Sequence, residues 1–161
     1  MKMFIILTLT AATLTACLTK TKKELLTKKW QLLNVYVDNE ITDKPEVIKW
    51  LKEMNDTIKK SLVVTEYAKN NKFLCYLNNI LLNGINADKP CNDYYRLVND
   101  EGFIDDQGKI IMINFRNKKL KVIKEEILSI SENELITKNY DSSFMKMAGG
   151  NHLIFIYKCI D

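Results

Sequence analysis

Apolar positions recur with two different periods beyond Trp30, and the change of period divides the chain into one helix and a long series of strands. In WQLLNVYV, which opens on Trp30, Leu33, Val35 and Val37 alternate with Leu32, Asn34 and Tyr36, predicting a strand with one fully apolar face. The period then lengthens: Val47, Leu51, Met54 and Ile58 recur at helical spacing, with Ile48 and Trp50 beside them. Asp43 is placed to cap this helix, Pro45 lies in its first turn and Glu46 follows, so a helix is predicted as far as Lys59 or Lys60 with its stripe packed on the core.

Short strands follow. SLVVTEY, the turn AKNNK and FLCYLNNILL read as a hairpin. After the polar loop NGINADKPCND come YYRLV, KIIMINF, KLKVIK, EILSI and ELITKNY; a loop, DSSFMKMAGGN, precedes the closing strand HLIFIYKCI. Ahead of Trp30, TKTKKELLTKK reads as a tether entering one helical turn, because Thr21 and Glu24 have capping-box spacing. The sum is about eight or nine strands at roughly 8–12-residue spacing, against one helix of ~16 residues and a short N-terminal turn, with no βαβ alternation. A mainly β fold is expected, as an antiparallel barrel or sandwich.

Charge changes this picture little. There are 24 Lys and Arg against 20 Asp and Glu, a formal net charge of +4, too mild to imply a nucleic-acid partner. The basic residues gather at Lys20, Lys22, Lys23, Lys28 and Lys29, which suits either contact with anionic lipid headgroups or a solvated tether. Cys91 lies in the turn-like NADKPCND and Cys75 is its nearest neighbour in sequence, so Cys75 and Cys91 are the candidate disulfide; three unpaired cysteines, with Cys159, suit the sequence as well. No CxxC spacing accompanies them, and no metal site or cofactor is expected.

Catalytic constellations are not apparent. The one histidine, His152, and Cys159 share the last strand, where seven residues at ~3.3 Å each place them over about 20 Å apart. The acidic stretch NDEGFIDDQG offers oxygen ligands at Asp100, Glu101, Asp105 and Asp106 but lacks the spacing of a calcium loop and reads as a turn. There is no GxxxxGK[ST], GxGxxG or HExxH. No catalytic residue is assigned and the chain is not expected to be an enzyme.

The first residues, MKMFIILTLTAATLTACLTK, carry a different message. Lys2 is followed by an apolar run from Phe4 to Leu14, within the ~7–15 residues of a signal-peptide core and short of the roughly 20 that span a bilayer. The run ends in Leu14, Thr15, Ala16 and Cys17, which resembles the lipobox of bacterial lipoproteins at all four positions. The resemblance implies that residues 1–16 are a signal peptide and that Cys17 is the lipid attachment site, acylated by diacylglycerol and usually a further fatty acid. It also implies a bacterial cell-envelope protein anchored to membrane; Leu18, where an aspartate tends to mean inner-membrane retention, favours the outer membrane, facing the periplasm. Residues 17–29 are then the lipidated N-terminus, tether and helical turn, and residues 30–161 the folded domain.

Within that domain three segments resemble the bacterial lipocalin-like lipoproteins. They are KKWQLLNVYV, with Trp30 and Leu32; the late hairpin EILSISENELITKN, with Ile127, Ile130, Ser131, Leu135 and Thr137; and HLIFIYK, ending in Tyr157 and Lys158. The resemblance implies a small up-and-down β-barrel, with Trp30 plugging its base and an interior that holds a small apolar ligand. The lining expected on that basis is Tyr36, Ile113, Phe115, Phe155 and Tyr157, residues that equally suit a packed β core. The alternative is a protein-interaction module, such as an envelope assembly factor or a periplasmic inhibitor, with a filled barrel and its binding surface on the helix around Trp50 or on a sheet edge.

Overall fold

The structure, a computed structural model, describes residues 20–38, 44–82, 93–98, 109–116 and 119–161, and the side chains of these except at 93, 111–116 and 119–123. The elements are α1 (Lys22–Leu26), β1 (Lys29–Val37), α2 (Pro45–Lys60), β2 (Val63–Tyr67), β3 (Phe73–Leu77), β4 (Ile80–Leu81), β5 (Asp93–Val98), β6 (Lys109–Arg116), β7 (Lys119–Ile130), β8 (Glu134–Asn139), α3 (Ser142–Met147) and β9 (Leu153–Cys159). Among the described residues one sheet takes up all nine strands in the order β4-β3-β2-β1-β9-β8-β7-β6-β5. Every pairing is antiparallel, with β1 joining β9. This is an up-and-down order with a seam between β4 and β5. The sheet curls into a half-barrel, and its far strands approach at the bridge between Lys72 and Tyr94, where the Tyr95 amide donates to the Asn71 carbonyl at 2.8 Å.

The mainly β expectation therefore holds, with instructive differences inside it. KLKVIK and EILSI are one continuous strand, β7, whereas FLCYLNNILL is two. Asn78 and Asn79 both adopt positive φ, 49° and 67°, making a two-residue turn of the kind whose twist suits a hairpin, so Leu77 pairs with Ile80 across it. In β1 the expected alternation breaks at Leu33, because the register against β9 shifts between Leu32 and Asn34. This bulge moves the apolar phase by one residue: Trp30, Leu32, Val35 and Val37 are buried, while Leu33 is exposed. A matching shift between Ile127 and Ser129 in β7 turns Leu128 outward.

Trp30, 0% exposed, and Leu26 close one end of the half-barrel, with the Trp30 indole N–H donating to the Leu26 carbonyl at 3.1 Å. The capping box anticipated from Thr21 and Glu24 forms, the Glu24 amide donating to Thr21 Oγ1 at 3.2 Å and the Thr21 amide to Glu24 Oε2 at 2.8 Å. Helix α2 spans the anticipated residues and buries Val47 and Ile58, with Trp50, Leu51 and Met54 packed on the core. Asp43 lies outside the described residues; Lys44 occupies the N-cap position without a side-chain cap bond. Because β2 pairs with β1 only as far as Gln31, the edge of β1 beyond that point takes another partner. The Asn55 amide of α2 accepts from the Val35 amide at 2.9 Å and donates to the Val35 carbonyl at 2.8 Å, standing where a strand's backbone would.

The stretch DSSFMKMAGGN, expected to be a loop, contains α3. Asp141 caps it by accepting from the Ser143 amide at 2.8 Å. Gly149, at φ +68°, ends it, with the Gly150 amide donating to the Met145 carbonyl at 2.8 Å, a helix stop that favours glycine. A Cβ on Gly149 would come within 3.1 Å of Lys44 Nζ and 3.4 Å of Val47, so its bare backbone also lets α3 approach the start of α2.

Candidate functional site in the barrel interior

The inward face of the sheet is apolar at the level of Trp30 and turns polar farther along the same strands. Ile127 and Glu125 share a face of β7, Leu135, Thr137 and Asn139 share one of β8, and Phe155 and Tyr157 one of β9; all are buried. Tyr67 of β2 lies against Tyr95 edge-on with ring centroids 5.2 Å apart, and its hydroxyl reaches Glu125 Oε2 at 3.5 Å. Phe155 stacks on Tyr157 at 6.3 Å, and Phe144 of α3 meets Phe155 at 5.8 Å.

Glu125, 5% exposed, is the centre of this polar group. Its Oε1 accepts from Asn139 Nδ2 at 2.9 Å, and among the described residues no cation pairs with it. Burial raises the pKa of its carboxyl from the ordinary glutamate value, against the opposing pull of Asn139, Thr137 and Tyr67. Burial likewise pushes the Tyr67 and Tyr157 hydroxyls well above the ordinary tyrosine value, with Glu125 adding to both; burial takes Tyr95 up to about 12. Thr137, 0% exposed, lies beside Glu125 and Tyr157 and lowers the pKa of each, and among the described residues its hydroxyl has no hydrogen-bond partner within bonding geometry. A buried hydroxyl in that state costs free energy until something bonds it.

The expected lining residues separate. Phe155 and Tyr157 face the interior. Tyr36 does not: it is 42% exposed between the buried Val35 and Val37, because the bulge at Leu33 sets the phase that puts it outside. Ile113 and Phe115 lie on β6, paired with Val122 and Leu120, and their side chains are outside the described residues. Cys17, Cys91 and the acidic stretch from Asp100 to Asp106 are also outside them, so the proposed Cys75–Cys91 pairing is not observed either way; Cys75 sits half-buried on β3 opposite Thr65. His152 lies just before β9 with its ring 4.5 Å from Tyr140 and its buried Nδ1 without a hydrogen-bond partner among the described residues.

The sequence reading missed Glu125, Thr137, Asn139 and Tyr67. The pair Glu125–Glu126 looks like an ordinary wet turn or strand face, since glutamate is almost never fully buried. The usable signal was strand phase alone: Glu125 is two residues from Ile127 and so shares its face.

What the arrangement offers chemically is a buried carboxyl, a hydroxyl without a hydrogen-bond partner among the described residues, and two tyrosines within an apolar, aromatic surround. No protein-family model matches the chain, and neither a curated protein nor a solved structure matches it.

Proposed function

We propose that the protein is a lipid-anchored lipoprotein of the bacterial envelope, held to the outer membrane through Cys17 after loss of residues 1–16, in which a lipocalin-like barrel binds a small, mainly apolar ligand. The observation that carries the ligand reading is the interior itself. Binding sites for small molecules combine an apolar and aromatic lining with a few convergent polar groups, and here Phe155, Tyr157 and Tyr67 surround Glu125 and the unpaired Thr137 hydroxyl. A ligand oxygen or nitrogen bonded to Thr137 would relieve the one buried hydroxyl in this group that lacks a partner. The anchor reading rests on Leu14, Thr15, Ala16 and Cys17 and the apolar run before them.

Native mass spectrometry of the full-length protein purified from membranes, before and after mild organic extraction, tests the ligand. A discrete added mass that extraction removes is the expected result; a clean unliganded mass overturns it. Cys17→Ser tests the anchor: fatty-acid labelling is lost and the protein leaves the membrane fraction. Labelling that survives the substitution overturns that assignment.

A second reading, a protein-interaction module, has its own observation. Leu33 and Leu128, both exposed by their bulges, flank Ile156 and Ile136 on the outer face of β1, β9, β8 and β7. That band, rather than Trp50, which packs on the core, is where a partner protein would sit.

A further inference from the structure

We propose that the α1 end of the half-barrel is a membrane-docking surface that rests on an anionic lipid bilayer, with the α3 end turned away from it. The inference rests on the lipid-anchor reading of Cys17 and adds an orientation to it.

The argument begins where the described chain begins. Lys20 Nζ lies 2.6 Å from Glu132 Oε1, and Lys28 Nζ lies 2.5 Å from Glu132 Oε2 and 3.0 Å from the Glu132 carbonyl. Glu132 sits in the turn between β7 and β8, so the tether is fastened to the barrel wall from Lys20 onward. Cys17 is three residues earlier, a link of about 10 Å at full extension. The acyl chains are therefore attached within about that distance of the β7–β8 turn. By contrast β1 is nine residues long, which at ~3.3 Å per residue separates the two ends of the domain by roughly 30 Å. A tether of this length lets the domain rest on its α1 end or tilt from it, but does not let the α3 end reach the lipid.

The chemistry of the α1 end suits anionic headgroups. Lys23 and Lys29 are exposed there, as is Lys158, which faces Glu134 across the β8–β9 pair. The other carboxylates of this end are already engaged: Glu24 by Thr21, Glu66, opposite Lys29 across the β1–β2 pair, by the Tyr76 hydroxyl at 3.1 Å, Glu132 by its two lysines, and Asp161 by the Lys29 amide at 2.8 Å. Ile160, 40% exposed, adds an apolar contact beside Lys29, to whose carbonyl its amide donates. Lysines next to an acidic leaflet are attracted to it over about a Debye length, and the short link keeps them within that range.

The test uses the full-length acylated protein in vesicles of phosphatidylethanolamine and phosphatidylglycerol that carry a nitroxide quencher on the headgroup. A fluorescent residue is placed at position 23 or 29, or at position 147 in α3, where Met147 is exposed. Quenching several-fold stronger at 23 and 29 than at 147 is expected. Glu132→Gln, which removes both ion pairs while leaving the Lys28 bond to the backbone carbonyl of residue 132 and the Trp30 plug in place, is expected to narrow that contrast. Equal quenching at both ends, or a contrast unaffected by Glu132→Gln, overturns the orientation. Fatty-acid labelling of Cys17 in the same preparations separates the two failures: labelled protein with equal quenching loses the orientation alone, and unlabelled protein loses the anchor.

Discussion

The two ends of the half-barrel are closed by opposite means. At the α1 end an indole and a leucine, both fully buried, form an apolar plug with one hydrogen bond inside it, and charged pairs remain outside on exposed Glu132. At the α3 end closure runs through polar atoms. Glu125 accepts from Asn139 Nδ2, Asn139 Oδ1 accepts from the Asp141 backbone amide at 2.8 Å, and the Asp141 carboxylate caps α3. An apolar plug depends on area and volume and is indifferent to pH. A chain of hydrogen bonds beginning at a buried acid depends on protonation and on each member keeping its partner. The buried closure is thus free of ionisable groups at one end and tied to a buried carboxyl at the other.

The sharpest way to break the contrast is to remove the plug. Trp30→Ala leaves a cavity beside Leu26 and removes one of the largest fully buried side chains, and a loss of about 3–5 kcal/mol is expected from such truncations. Denaturant unfolding reads it directly. A loss below ~1 kcal/mol would mean that the α1 end is not where stability resides.

At the other end the informative variable is pH. Burial raises the Glu125 pKa in the folded protein, so the folded state holds this proton more tightly than the unfolded chain. The resulting stabilisation is complete below the unfolded value of about 4.3 and is lost as pH rises through the folded value, at up to ~1.4 kcal/mol per pH unit. Glu132 behaves oppositely: hydrogen bonds from Lys20 and Lys28 hold it down to about 2, so its contribution is present above pH ~4 and fades only in acid. The two windows do not overlap. Glu125→Gln keeps an acceptor oxygen for Asn139 and removes the ionisation, so its stability is expected to vary less with pH than that of the wild type above the unfolded glutamate value of about 4.3. An unchanged slope in the variant would assign the titration to some other group.

How far the sequence disclosed this arrangement follows from the same contrast. The helical turn and the strand after it were legible, through the capping box of Thr21 and Glu24 and the alternation that opens on Trp30, whereas the place of Trp30 as a plug was implied only by the lipocalin-like resemblance. The strands were legible too, because alternation is a property of nearest neighbours. Their phase was not, since a bulge adds one residue to one strand according to its partner's register, and Leu33 and Leu128 carry no mark of it. Glu125 was hidden for that reason together with its charge. Helix α3 was missed because six residues give too little periodicity to recognise, although Asp141 and Gly149, its cap and its stop, were both present in the text of the chain.

The smallest expected effect tests whether the polar end is a unit. In Asp141→Ala the Ser143 amide loses its acceptor, and loss of an N-cap costs about 1 kcal/mol. The backbone amide that bonds Asn139 survives the substitution, so Asn139 should keep its grip on Glu125 and the barrel should be unaffected. Amide hydrogen exchange distinguishes the outcomes by location. Faster exchange confined to α3, at Met145 and Ala148, whose amides bond the Asp141 and Phe144 carbonyls, means that the helix opens as a local flap on an intact barrel. Equal acceleration in β8 and β9 would mean that α3 and the interior open together, and that the cap of a six-residue helix helps hold the environment of Glu125 in place.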